Sequence, residues 1–238
     1  MNIKKVIKPV NNRAYFLTTL LAFFFFIAQF AVYILAEKAI LQANHKRELS
    51  FMLANELRQS SDDLTRMVRT YVTTGNSIYQ RHYQEILDIR NGIKPRPLEY
   101  EYIYWDLVMD DDQRPTTLGV AESLLDRMRK AGFSEQEFNT LEKAKLNSDK
   151  LTNPEFEAMA LVEASNTDNA QANRLKAIDL LYDTEYHEAK RSIMQSILDF
   201  QKSVDQRTFS SVEKAERFAG LMRITFVSKD SGRRNDSC

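Results

Sequence analysis

The sequence predicts an all-α protein, with an N-terminal transmembrane helix continuing into an antiparallel, four-helix-bundle-like domain outside the membrane. Three observations carry this expectation. Glycine supplies 6 and proline 5 of the 238 residues, too few for the turns of a sandwich or barrel. Between Ala14 and Ala36 no residue is charged, and that length of helix crosses the ~30 Å hydrocarbon layer. Beyond it, apolar residues recur at steps of three, four and seven over two long stretches, with no alternating strand pattern.

Taken in order, residues 1–13 carry Lys4, Lys5, Lys8 and Arg13 without an acidic partner, while Glu37 and Lys38 come directly after the apolar run. The positive-inside bias therefore keeps residues 1–13 cytoplasmic and exports the chain beyond the 14–36 span. In a Gram-negative cell the destination is the periplasm, giving a single-pass protein of the bacterial inner membrane. A cleaved signal peptide is the rival reading, but its apolar region would be only about 7 to 15 residues long and would end at a small-x-small site. The length of this run favours an uncleaved anchor.

The exported body is expected to occupy residues 37–220. Leu49, Leu53, Leu57, Leu64, Val68 and Tyr71 form one stripe that ends at Gly75, a suitable C-cap. Such a rod needs partners to bury its stripe. Tyr186, Ala189, Ile193, Ile197, Phe200, Val204, Val212, Ala215, Ala219 and Met222 define a second rod that returns toward the membrane. Between the rods, breakers at Asn91, Gly92 and Pro95, at Asp110 to Pro115, at Gly132, and at Asn153 with Pro154 divide shorter helices, four main helices being expected in all. Ser134 and Glu137 have the capping-box spacing, and Asn153 before Pro154 reads as an N-cap and first turn. Residues 221–238 change character abruptly: Phe218 to Val227 is too short for a span and contains Arg223, and the remainder is a polar tail. This reads as a truncated or frame-shifted start of a second transmembrane region, without an output domain.

Composition excludes several functions. Lys plus Arg and Asp plus Glu are both 33, so no basic excess calls for nucleic acid as a partner. Cys238 is the single cysteine, which rules out an intrachain disulfide framework and a cysteine-based zinc site. No two glycines lie closer than 12 positions, so a P-loop and a dinucleotide fingerprint are both missing. His45, His82 and His187 are too scattered for a helical metal pair, and no Gly-x-Ser-x-Gly elbow accompanies them. No catalytic activity, cofactor or metal is expected. His187 and Glu188 with Lys190 and Arg191 faintly resemble a histidine-kinase phosphoacceptor box that lacks its proline, and a surface histidine is the simpler reading. Asp110, Asp111 and Asp112 lack the twelve-residue grammar of a calcium loop and read as a solvated turn.

Two concentrations of polar and aromatic residues are candidates for binding. Asp62, Arg66 and Arg69 share a helix face, with Ser61 and Thr65 beside the apolar stripe. They form either an anion pocket, where an Arg fork holds a carboxylate, or a solvated ion-pair network. Tyr100, Tyr102, Tyr104 and Trp105, beside Arg90 and Arg96, form either an aromatic ligand pocket or ordinary core packing. The candidate ligand-binding set is accordingly Arg66, Arg69, Tyr71, Arg90, Arg96, Tyr104 and Trp105.

The string Ser60, Ser61, Asp62, Asp63, Leu64, Thr65, Arg66, with Arg69, Thr70 and Tyr71, resembles the start of the periplasmic helical-bundle sensor region of bacterial transmembrane signalling receptors. Ile86, Leu87, Asp88, Ile89, Arg90, Asn91 and Gly92, then Pro95, Arg96 and Pro97, then Ile103, Tyr104, Trp105 and Asp106 look like its next blocks, and Val204, Asp205, Gln206, Arg207 and Thr208 like its last. The resemblance covers roughly residues 50 to 220. It implies an input module of the kind that precedes a histidine kinase, a diguanylate cyclase or a chemoreceptor signalling domain, and it supplies no ligand.

The leading expectation is therefore a membrane-anchored sensory module that detects an unknown small ligand or a periplasmic binding protein, working as a homodimer through its long helices. Two alternatives stand beside it: an anchored scaffold for a periplasmic protein partner, and the sensory half of a kinase or cyclase. Convergence of Arg66, Arg69, Arg90 and Trp105 on one cavity would favour sensing, and dispersal over solvated faces would favour the scaffold.

Overall fold

The computed structural model describes residues 12–100, 103–108, 112–164 and 169–231. Tyr102, Asp110, Asp111, most of the basic N-terminus and the end of the polar tail lie outside the described residues. Among the described residues seven helices occur, in the order α1 (Asn12–Thr74), α2 (Ser77–Arg90), α3 (Tyr104–Leu107), α4 (Leu124–Lys130), α5 (Glu135–Glu163), α6 (Ala170–Tyr182) and α7 (Thr184–Ser231). Among the described residues there is no strand, and a single isolated antiparallel bridge joins Pro97 to Leu118.

The chain divides into two compact units, Met1–His45 with Ser210–Cys238, and Lys46–Phe209. In the first, α1 carries one segment long and apolar enough to cross a membrane, with almost none of it buried inside the protein. Phe16, Leu21, Phe23, Phe24 and Phe30 all present their rings or alkyl groups outward. A soluble core helix would bury such groups, since each fully buried large side chain contributes about 1.5–3 kcal/mol.

Among its described residues the second unit holds two apolar clusters. The larger joins Leu64, Val68 and Tyr71 of α1 to Tyr83 and Ile86 of α2, Ala158 and Met159 of α5, Leu181 of α6 and Ile193 of α7. In the smaller, Leu53 and Ala54 of α1 meet Leu124 and Met128 of α4, Leu141 of α5 and Phe200 of α7, and Phe133 stacks on Phe200 at 5.5 Å. The three-and-four periodicity places these residues on the faces where they are found. Contacts between α1 and α7 recur along this unit. Arg47 pairs with Asp205 at 3.1 Å, Gln201 donates to the Ala54 carbonyl at 3.5 Å, and Lys190 donates to the Ser61 carbonyl at 2.7 Å.

Local signals set most helix ends. Gly75 comes directly after α1 with φ +73° and donates to the Tyr71 carbonyl at 2.7 Å, a conformation costly for any residue with a Cβ. Asn76 then caps α2 through its side chain, and Ser134 with Glu137 forms the reciprocal capping box of α5. One expectation is corrected: Pro154 starts no helix but lies inside α5. Interior proline costs ~3 kcal/mol or more. Leu151, Glu155, Ala158 and Met159 are all buried on the same helix, and that packing offsets the lost hydrogen bond.

Candidate functional site

Five helices of the Lys46–Phe209 unit enclose a partly open cavity of about 430 Å³. Helix α1 contributes Leu57 and Ser61, α2 contributes Leu87 and Arg90, and α7 contributes Ile193 and Ile197. Along α5 the wall is Leu141, Ala144, Ser148, Thr152 and Phe156, spaced by three and then by fours, so that one helix face is presented to the space. Leu124 and Leu125 of α4, with the flanking Asn91 and Ser123, complete it. The space exists because small residues, Ala144, Ser148 and Ser61, occupy positions where larger ones would fill the core. Its size and its mostly apolar lining with a few polar groups are those of a small-molecule site. A second depression of about 580 Å³, near Gly92, Val120 and Lys130, is open to solvent and borders the surface pair Lys130 and Glu122.

Beside the cavity lies a buried polar cluster. Glu155, 3% exposed, accepts from the Tyr83 hydroxyl at 2.6 Å and from the Tyr186 hydroxyl at 2.7 Å. Burial raises the Glu155 carboxyl above its ordinary value despite both donors, and burial also raises both tyrosines, reinforced by the Glu155 charge. Lys190, lowered by its own burial, donates to the Ser61 hydroxyl at 2.9 Å and lies 3.4 Å from Asp62.

The seven candidate residues do not converge on this cavity. Arg90 lines it. Arg66 binds Asp63 at 2.7 Å and also pairs with Asp106. Asp63 is held at about 6, because burial outweighs the Arg66 charge and hydrogen bond. Arg69 donates to the Leu181 carbonyl at 2.8 Å and lies over the rings of Tyr182 and Tyr186 at 4.1 and 5.2 Å. Tyr71 is buried, and its hydroxyl is raised by burial and by the charge of Glu163. Arg96 makes a forked ion pair with Glu56, its Nη2 at 3.0 Å. Tyr104 and Trp105 are buried in the larger apolar cluster, where their rings meet edge to face at 5.2 Å and the Trp105 indole donates to the Tyr100 hydroxyl at 2.8 Å. Of the seven, Arg90 alone is part of the cavity wall.

Sequence reasoning did not single out Glu56, Glu155 or the polar face of α5, and it placed Lys190 only in the faint likeness to a phosphoacceptor box. Glu56 is 5% exposed and gathers Arg96 and Arg127, the latter at 2.8 and 2.9 Å. The available signal was a glutamate within the apolar stripe, one residue before Leu57. Glu155 was masked by the Asn-Pro pair that reads as a helix start. Near α3, His82 shares a 2.9 Å hydrogen bond with Asp112, and its ring lies 5.1 Å from that of Trp105. Burial works against ionisation of Asp112, but the His82 bond and the Arg114 charge leave its carboxyl below the ordinary range. Among the described residues, no group of three or more His, Cys, Asp or Glu side chains is arranged to hold a metal ion.

Comparison with known protein families, with characterised proteins and with solved structures found no match.

Proposed function

We propose that this chain is a membrane-anchored extracytoplasmic sensory module of a bacterial signalling receptor, in which a small molecule bound between helices alters their packing. The observation that carries this reading is the 430 Å³ cavity, whose wall includes Leu57 and Ser61 of α1, the helix that also bears the apolar segment. A ligand there touches α1, α2, α5 and α7 together, so a modest difference in its affinity for two packings shifts their populations. In this reading the bundle is antiparallel, the N-terminus is cytoplasmic, the cavity is periplasmic and the protein works as a homodimer in the inner membrane. The pairing of Arg47, Ala54 and Ser61 with Asp205, Gln201 and Lys190 supports opposite directions for α1 and α7.

The test is a thermal-shift screen of small polar metabolites against the purified full chain and a plugged variant, Ala144→Phe. Compounds that raise the Tm of the parent but not of the variant support sensing. A screen in which no compound separates the two proteins rejects it.

A second reading, an anchored scaffold for a periplasmic protein, is favoured by the paired loops at residues 96–98 and 117–120. Backbone bonds from Leu98 to Thr117 and from Arg96 to Val120 join them, and Leu98, Leu118 and Val120 are 52%, 59% and 77% exposed. Replacing Leu118 and Val120 with serine should abolish partner capture if this reading holds, and should leave small-molecule binding unchanged if sensing holds.

A further inference from the structure

We propose that Glu155 is a proton-sensing switch, whose neutral form turns the Tyr186 hydroxyl away from α5 and onto Thr65 of α1. The hydrogen bonds of this buried group define the two states. A carboxylate only accepts, and both donors here are tyrosines, Tyr83 of α2 at 2.6 Å on one oxygen and Tyr186 of α7 at 2.7 Å on the other. Each hydroxyl carries one hydrogen, so the charged form spends both on Glu155. Tyr186 also lies 3.5 Å from the Thr65 hydroxyl, at the outer limit of such a bond. Thr65 gives its own hydrogen to the Ser61 carbonyl at 3.1 Å, which leaves its oxygen able to accept.

Proton uptake adds a third hydrogen to the group and requires one more acceptor. On the Tyr83 side there is none, because Tyr83 has no other hydrogen-bond partner among the described residues. On the other side the new carboxyl O–H donates to the Tyr186 oxygen, and the Tyr186 hydrogen turns to Thr65. Tyr83 goes on donating to the second carboxyl oxygen. Every hydrogen is again accepted, so both protonation states are complete networks in a site where an unmatched hydrogen is costly. An O–H···O bond prefers about 2.8 Å, so the new bond draws Tyr186 and Thr65 together by about 0.7 Å. Proton uptake thereby extends the tie between α5 and α7 to α1, the helix that also bears the apolar segment.

The surrounding charges set where the switch works. Burial lifts the Glu155 carboxyl above its ordinary value, against the Tyr83 and Tyr186 bonds and the charges of Lys190 and Arg90. Lys190 of α7 is itself paired with Asp62 of α1 at 3.4 Å, and Arg69 of α1 lies over the Tyr186 ring at 5.2 Å. The ring of exposed His187 is 6.4 Å from that of Tyr186. Because the folded value is the raised one, the stability that Glu155 contributes is present at low pH and falls as pH rises through that value. The switch needs no occupant in the cavity and so goes beyond the sensory reading above.

The experiment is infrared difference spectroscopy of the full chain in detergent micelles, acidified in steps from about pH 9 to about pH 4, which reaches below the ordinary glutamate value of 4.5. A protonated-carboxyl band should grow in the parent with its midpoint above that value, and should be missing in Glu155→Gln. Signals from Asp63 and His187 persist in that variant, so the difference between the two proteins isolates Glu155. Thr65→Val, which removes the acceptor, should lower the midpoint by ~1 unit or more, whereas Thr65→Ser, which keeps it, should restore the parent value. A Tyr186 ring band, assigned by its loss in Tyr186→Phe, should shift in the same step as its oxygen begins to accept. A midpoint at or below the ordinary value, a midpoint that Thr65→Val leaves in place, or a Tyr186 band that ignores pH would each overturn the proposal. If Glu155→Gln does not fold, the contrast between Thr65→Val and Thr65→Ser identifies the band and decides the matter. None of these outcomes involves the cavity, so the metabolite screen decides the sensory reading separately.

Discussion

Replacing Glu56 by glutamine should be among the most damaging single changes in the Lys46–Phe209 unit. The carboxylate sits on α1 with its side chain 6% exposed, and it accepts from two guanidiniums that come from distant positions, Arg96 in the loop after α2 and Arg127 on α4. Arg96 supplies Nε at 3.2 and 3.3 Å and Nη2 at 3.0 Å, while the Arg127 Nη1 lies 2.8 and 2.9 Å from the two oxygens. Glutamine keeps the shape but removes the charge, and its amide nitrogen turns a donor toward donors. Breaking a buried pair in this way typically costs 3–5 kcal/mol. The side chains of Arg96 and Arg127 retain 15% and 22% exposure, so both recover some hydration and the lower end, ~3 kcal/mol, is expected. For a unit of this size each kcal/mol moves Tm by ~2–4 °C, giving a fall of ~6–12 °C in thermal unfolding of the full chain followed by circular dichroism. A double-mutant cycle with Arg96→Ala should return a coupling above ~1.5 kcal/mol. A Tm drop below ~2 °C, or a coupling near zero, would show that these bonds do not hold the loop and α4 to α1.

Three further outcomes are expected. Asp63 titrates near 6 when folded and near its ordinary value of 3.8 when unfolded, so between these limits the native state binds more protons. Stability must then decline as pH rises through that window, by at most ~3 kcal/mol, and level off above about 6. Asp63→Asn should flatten this slope in a series of thermal melts, and an unchanged slope would contradict the assignment. Tyr186→Phe withdraws a donor from buried Glu155 and should cost ~1–3 kcal/mol, an effect that should largely vanish in a Glu155→Leu background when both are measured by thermal unfolding. Gly92→Ala should destabilise the protein more than Gly75→Ala does. Both glycines have φ near +75°, but a Cβ at Gly92 would lie 2.5 Å from the Ser123 backbone nitrogen, whereas at Gly75 it meets only the flexible Arg174 side chain at 3.2 Å. Equal Tm losses would mean that the Gly92 loop shifts freely away from α4.

What the sequence by itself determined is the part governed by short-range chemistry. The uncharged run before Glu37, the two long stripes, the glycine after α1 and the Ser134–Glu137 box each depend on residues within a few positions of one another. Helical periodicity, capping and hydrocarbon length act at that range. The tertiary structure decided which faces meet. Whether Arg66, Arg69 and Arg96 hold a ligand, face water or bind within the protein depends on partners such as Asp106, Leu181 and Glu56, which come from other elements of the chain. The same alternation of charged and apolar residues is compatible with all three. Pro154 shows the limit from the other side, since its local preference to begin a helix is outweighed by the burial of Leu151, Ala158 and Met159 around it. The cavity belongs to the same class, because Ala144 and Ser148 are ordinary helix residues in α5 until α1, α2 and α7 pack opposite them and leave a space that none of their side chains is large enough to fill.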